Sequence, residues 1–176
     1  INVESSGIAS NIGLDLSLQK FISDDYYFLI SGSVYSSKFE DVDNVTRNTP
    51  FNGNYVLNMT AGKEFHKTKN DKSSVFGMNL RSVLAGGRRY TPFEGRKPNI
   101  NDPDPFSAQF NDYFRADVRF YFKRNRANLT STLALDIQNI TNRKNDAFYH
   151  HDVVEDGVVL KEQLGLIPNL SYKIEF

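Results

Sequence analysis

Apolar and polar side chains alternate with a period of two in seven separate stretches, and this patterning restricts the fold more than any other feature of the sequence. Successive strand side chains point to opposite faces of a sheet, so each stretch carries one apolar and one polar face. Ile12, Leu14, Leu16 and Leu18 alternate with Gly13, Asp15, Ser17 and Gln19. Phe28, Ile30 and Val34 enclose Ser31 and Ser33, and Tyr55, Leu57, Met59 and Ala61 alternate with Val56, Asn58, Thr60 and Gly62. Phe76, Met78, Leu80 and Leu84 stand against Gly77, Asn79 and Arg81. The clearest stretch sets Phe114, Ala116, Val118, Phe120 and Phe122 against Tyr113, Arg115, Asp117, Arg119, Tyr121 and Lys123. Leu133, Leu135 and Ile137 follow, and Leu170, Tyr172, Ile174 and Phe176 close the chain. Several stretches reach the 9–11 residues or so that a membrane-crossing strand needs, against the usual five or six in other sheets. The expected fold class is therefore all-β, an antiparallel meander of about seven long strands over residues 1–176.

The connections alternate in length. Ser23-Asp24-Asp25 and Arg124–Asn128 are short, and residues 67–73 form a moderate polar link. Residues 40–53, 86–112 and 141–163 are long. The last of these predicts its own hairpin, because Asp156-Gly157 lies between Val153-Val154 and Val158-Val159. Tight turns at one end and large loops at the other are what a transmembrane β-barrel shows, with the turns periplasmic and the loops outside. If Phe176 lies on the periplasmic side, every long connection is extracellular.

Composition narrows the function classes. The formal net charge is zero, so the overall charge shows no electrostatic footprint for nucleic acid or for an anionic membrane surface. There is no cysteine, which removes disulfides, thiolate metal sites and cysteine nucleophiles. No run approaches the ~18 apolar residues of a membrane helix, and the opening residues INVESSGIAS do not read as a signal peptide. Mean hydropathy is −0.48, which a barrel tolerates because only every second residue is apolar. Seven strands do not close a bacterial barrel, which uses an even number. The chain thus reads as the C-terminal segment of a longer protein.

The polar faces carry Asp15, Glu64, Arg81, Arg115, Asp117, Arg119 and Asp136, the expected lining of a watery lumen where opposite charges pair across strands. The apolar faces carry Tyr26, Phe65, Phe114, Phe122, Tyr172 and Phe176 near strand ends, as interfacial aromatic girdles do. No catalytic Ser/His/Asp spacing, phosphate loop or carboxylate pair in an apolar pocket is present, and no enzyme activity or cofactor is expected. His150 and His151 are strand neighbours pointing to opposite faces and would not share a metal readily. Asp102 and Asp104 read as a rigid turn rather than a calcium site.

Several segments resemble the late barrel strands of TonB-dependent outer-membrane receptors. They are Thr49-Pro50-Phe51-Asn52-Gly53-Asn54-Tyr55, Ala61-Gly62-Lys63-Glu64-Phe65, Ala85–Pro92 and Asp112–Asp117. Leu135-Asp136-Ile137-Gln138-Asn139-Ile140-Thr141-Asn142 is similar to the penultimate strand of that family, and Tyr172-Lys173-Ile174-Glu175-Phe176 to its aromatic-terminated last strand. Receptors with a carboxypeptidase-regulatory-like extension are the subgroup it looks most like. The resemblance implies a 22-stranded barrel in the outer membrane of a Gram-negative bacterium, with an N-terminal plug and earlier strands that this chain does not contain. It implies TonB-dependent uptake of a siderophore, cobalamin, peptide or glycan, coupling to the TonB complex through the plug, contact with outer-membrane lipid, and an assembly signal at Tyr172, Ile174 and Phe176 read by the barrel-assembly machinery. An unidentified small ligand would meet the outer loops at Arg88, Arg89, Tyr90, Arg96 and Lys97. Two other readings stay open on the residues alone: a passive structural or adhesive outer-membrane barrel, and a soluble lipocalin-like carrier.

Overall fold

The computed structural model of the chain describes residues 7–69, 72–99 and 102–176, and no helix occurs among them. In chain order the strands are β1 (Ile8–Ser23), β2 (Tyr26–Glu40), β3 (Thr46–Asn48), β4 (Tyr55–Lys69), β5 (Lys72–Ala85), β6 (Arg89–Tyr90) and β7 (Phe93–Glu94). They continue with β8 (Lys97–Pro98), β9 (Ala108–Gln109), β10 (Tyr113–Arg126), β11 (Leu129–Gln138), β12 (Asp146–Asp152), β13 (Gly157–Glu162) and β14 (Ile167–Glu175). The long strands pair in the order β1-β2-β4-β5-β10-β11-β14, and β3 adds to β2. Every pairing is antiparallel, so the meander expected from the patterning is the fold.

The turns at one end are tighter than the sequence suggests. Ser23 pairs with Tyr26, leaving Asp24 and Asp25 as a two-residue turn with φ of 52° and 65°. Such paired positive φ values match the right-handed twist of the flanking strands, and Asp tolerates them better than most residues. Residues 67–73, expected as a moderate loop, are mostly strand, since the ladder runs as far as Lys69 opposite Lys72. Arg126 pairs with Leu129, so only Ala127 and Asn128 turn there. β14 ends at this same end of the sheet. The three long connections all lie at the other end, where the β12–β13 hairpin forms as expected from Asp156-Gly157. Its turn differs in detail: Val153 and Val154 sit in the turn itself, outside either strand, and Val154 is 94% exposed.

The sheet is a single layer. β1 and β14 are its two edges and do not pair with each other. Among the described residues the buried apolar side chains are Val75, Ala116 and Ala134, whereas Ser37, Arg47, Asn52, Asn139 and Asn145 are buried and polar. This reverses the usual inside-out distribution. The described residues form no hydrophobic core between layers, and most of the large apolar side chains of the long strands lie on one exposed face: Leu16 on β1 is 70% exposed and Leu170 on β14 is 71% exposed.

Candidate functional site

Three surfaces carry the features the sequence singled out: the two faces of the sheet and the cluster of long connections.

The apolar face is continuous because the strands are in register. One row of mutually opposite residues runs Lys20, Phe28, Ala61, Leu80, Val118, Ile137, Pro168. On β1, the alternating residues Ile12, Leu14, Leu16 and Leu18 all lie on the loop side of this row. On β14, Leu170, Tyr172 and Ile174 all lie on its turn side. On β5 the row passes mid-strand, with Phe76 and Met78 toward the turns and Leu84 toward the loops. The apolar band thus slants by roughly nine residues over six strand-to-strand steps, and at ~3.3 Å per residue and ~4.8 Å per strand this places the strands about 45° from the band normal.

The band ends sharply on the turn side. Phe65, Phe76, Phe122, Leu133 and Tyr172 form one cross-strand row over five neighbouring strands, and the Phe65 and Phe76 rings stack at 6.1 Å. The next row is Lys67, Ser74, Arg124, Ser131 and Ile174. Of the other expected girdle residues, Phe114 lies at the loop end of β10 and Phe176 closes the chain fully exposed. Tyr172, Ile174 and Phe176 all project from the open edge strand or its end.

The seven residues expected to line a lumen share the opposite face. Arg81 stands opposite Asp117 and Thr60, Arg119 opposite Asp136, and Asp15 opposite Ser33. Four of these charges pair: Arg115 Nε donates to Asp117 Oδ1 at 2.7 Å within β10, and Arg119 donates across to Asp136 Oδ1 on β11 at 3.1 Å. A second Arg115 nitrogen reaches Gln138 Oε1 at 3.0 Å. Between them runs a groove of about 420 Å³. Beside it two tyrosines lie flat over glycines on the next strand. A Cβ on Gly62 would fall 2.4 Å from the Tyr27 ring, and one on Gly77 would fall 2.1 Å from the Tyr121 ring. Tyr27 donates to Asn79 and Tyr121 to Glu64, so each ring is fixed by its hydroxyl as well.

No protein-family profile, curated protein or solved structure matches the chain.

At the loop end, Tyr90, Phe110 and Tyr149 form a ring cluster with centroids 4.5–5.4 Å apart. Burial, helped by the Tyr149 hydroxyl, pushes the Tyr90 phenol above its ordinary value, so it stays a neutral hydrogen-bonding group. The cluster walls a cavity of about 390 Å³ shared with Arg88, Phe93 and Phe106. Three of the five loop residues singled out by the sequence, Arg88, Arg89 and Tyr90, line it. Arg89 is committed to the scaffold, donating to the carbonyls of Asn52 and Ser107. The Arg88 guanidinium, 5.7 Å from the Phe51 ring, is the cation at the rim. Arg96 and Lys97 lie outside this cavity; Arg96 pairs with Asp156 of the hairpin at 2.7 Å. His150 packs edge-on against Phe148 while His151 approaches Asp156, consistent with their opposite directions.

Three asparagines to which the sequence alone assigns no bracing role help hold this end together. Asn145 accepts from the Phe114 amide and donates to the Phe114 carbonyl, both at 2.9 Å. Asn52 accepts from the Ser37 amide and donates to Asn48. Asn139, at φ 51°, donates to the carbonyls of Arg143 and Leu164 and takes the Asp117 carboxylate on its own amide. Arg47 is buried in a bidentate fork with Asp43 and also donates to the Pro103 carbonyl at 2.7 Å. That fork holds the Asp43 carboxyl down to about 2.

Proposed function

We propose that this chain is an arc of the wall of an outer-membrane β-barrel, part of a TonB-dependent receptor that takes up a scarce nutrient. The observation that carries the membrane part is the slanted apolar band. A single-layer sheet with no core of its own presents that band outward and ends it at an aromatic row, with a strand tilt inside the range of about 35–45° found in such barrels. A lipid environment satisfies this face without a second layer. In hydrocarbon, unpaired backbone groups cost several kcal/mol each, so the open edges of β1 and β14 call for further strands, as a barrel of 22 would provide. The paired charges of the opposite face then line its aqueous interior, and the long connections face outward.

The receptor part rests on the ordered motifs that resemble the TonB-dependent family, together with the loop cavity. Neutral aromatic hydroxyls, stacked rings and one cation suit a siderophore or a saccharide. No residue of the chain performs a chemical step in this reading. The test of the membrane part offers the urea-unfolded full-length parent protein to detergent micelles and to plain buffer. Folding into a heat-modifiable β-rich form only in micelles is expected; a folded monomer in buffer alone would refute it. For the transport part, cells lacking the parent protein are expected to lose TonB-dependent uptake of one nutrient class and to regain it with the intact gene. Uptake indifferent to loss of TonB would point to a passive barrel.

A further inference from the structure

Around and below the aromatic row the outward face is basic, with no compensating acid among the described residues. Lys63, Lys67, Arg124 and Arg126 all alternate onto this face and are exposed. From β4 to β11 the same face carries no carboxylate among the described residues; Glu64, Asp117 and Asp136 belong to the other face. None of the four cations makes an ion pair within the described residues, unlike Arg115 and Arg119 across the sheet. Lys63 stands two residues inside the aromatic row, opposite Met78, and its ammonium leans toward the turns over the Phe65 ring at 5.4 Å. A long aliphatic stem lying along apolar surface with its charge reaching for the interface is how lysine behaves at a bilayer boundary. Directly on its loop side the small Ala61 leaves an apolar groove of about 520 Å³ between Phe28, Met78 and Phe120, walled at its turn end by Tyr26 and Lys63.

We infer that this rim binds anionic phospholipid in the leaflet at the short-turn end, its phosphate held by Lys63, Lys67, Arg124 and Arg126 and one acyl chain lying in the groove over Ala61. The inference rests on the membrane-wall reading above and adds a partner of defined charge to it. Charge complementarity selects the occupant: each exposed cation near an anionic surface favours binding, and four without an ion-pair partner among the described residues add up. The effect is confined to within a Debye length of the surface, so it weakens with salt.

The test uses the parent protein, carrying the strands that complete the barrel, folded into vesicles of equal phosphatidylglycerol and phosphatidylcholine, with the lipid retained after detergent extraction counted by native mass spectrometry. Phosphatidylglycerol is expected to exceed phosphatidylcholine by about tenfold or more. The pair Lys63→Gln and Arg124→Gln brings the ratio near parity, while Lys123→Gln and Lys173→Gln, the same charge change on the other face of the same end, leaves it high. Should the first pair impair folding, judged by circular dichroism, Lys67→Gln alone, beyond the apolar band, is expected to lower the ratio severalfold. Parity in the unmodified chain, or equal loss in both pairs, overturns the inference. Insertion into phosphatidylcholine alone separates the two levels. A chain that inserts there without preferring the anionic lipid keeps the wall and loses the rim site, whereas a chain that inserts in neither loses both.

Discussion

Asn145 does for β10 what a neighbouring strand would otherwise do. Its side-chain amide meets both the N–H and the C=O of Phe114, and it is only 5% exposed. Asn145→Ala would leave two part-buried backbone groups without their partner, and a loss of about 1 kcal/mol is expected, read as a lower urea midpoint in micelles. The Tyr–Gly contacts make an equally local prediction. In Gly77→Val the new side chain collides with the Tyr121 ring, and overpacking of this kind costs about 1–3 kcal/mol. Adding Tyr121→Ala is expected to return part of that loss, which a double-mutant cycle measures as coupling. Asp43 provides the pH-dependent case. Its folded pKa of about 2 lies below the ordinary 3.8, so the Arg47 fork contributes fully above about pH 4 and its contribution disappears as pH falls through about 2. Carboxyl NMR should place the Asp43 midpoint near 2, and Arg47→Gln should return it toward about 3.9.

At the scale of strands, depth within the apolar band becomes measurable. Leu80 lies mid-band on β5, and Ser74 lies just past the aromatic row on the same strand and face. Leu80→Arg is expected to cost about 2–4 kcal/mol and Ser74→Arg about 0–1, by reversible unfolding in bilayers. Equal costs would mean that the face does not meet hydrocarbon. The strands themselves were legible in the sequence because alternation is local: Phe114 to Phe122 shows its two faces without reference to any other segment. The Asp156-Gly157 hairpin was legible for the same reason. The turn ends were underestimated where charged residues such as Lys67 and Lys69 look like loop but continue the ladder. The asparagine braces were not legible, because Asn145 and Phe114 are 31 positions apart and nothing local distinguishes a braced asparagine from a solvated one. The loop site was half visible: Arg88, Arg89 and Tyr90 converge, while Arg96 is drawn to Asp156 by a hairpin distant in sequence.

For the molecule as a whole, the slant of the band could not be read from any one segment, since it resides in how each strand is offset against the next. Polarised infrared spectroscopy on oriented bilayers is expected to give a strand tilt of about 45°; strands parallel to the membrane normal would contradict the register. That angle also has a geometrical consequence for size. A ribbon laid obliquely covers more perimeter than an upright one, so each strand takes up about 6.8 Å of circumference instead of about 4.8 Å. The seven long strands would then span an arc of about 48 Å, and in the proposed barrel the width of the bore would follow from their lean as much as from how many there are.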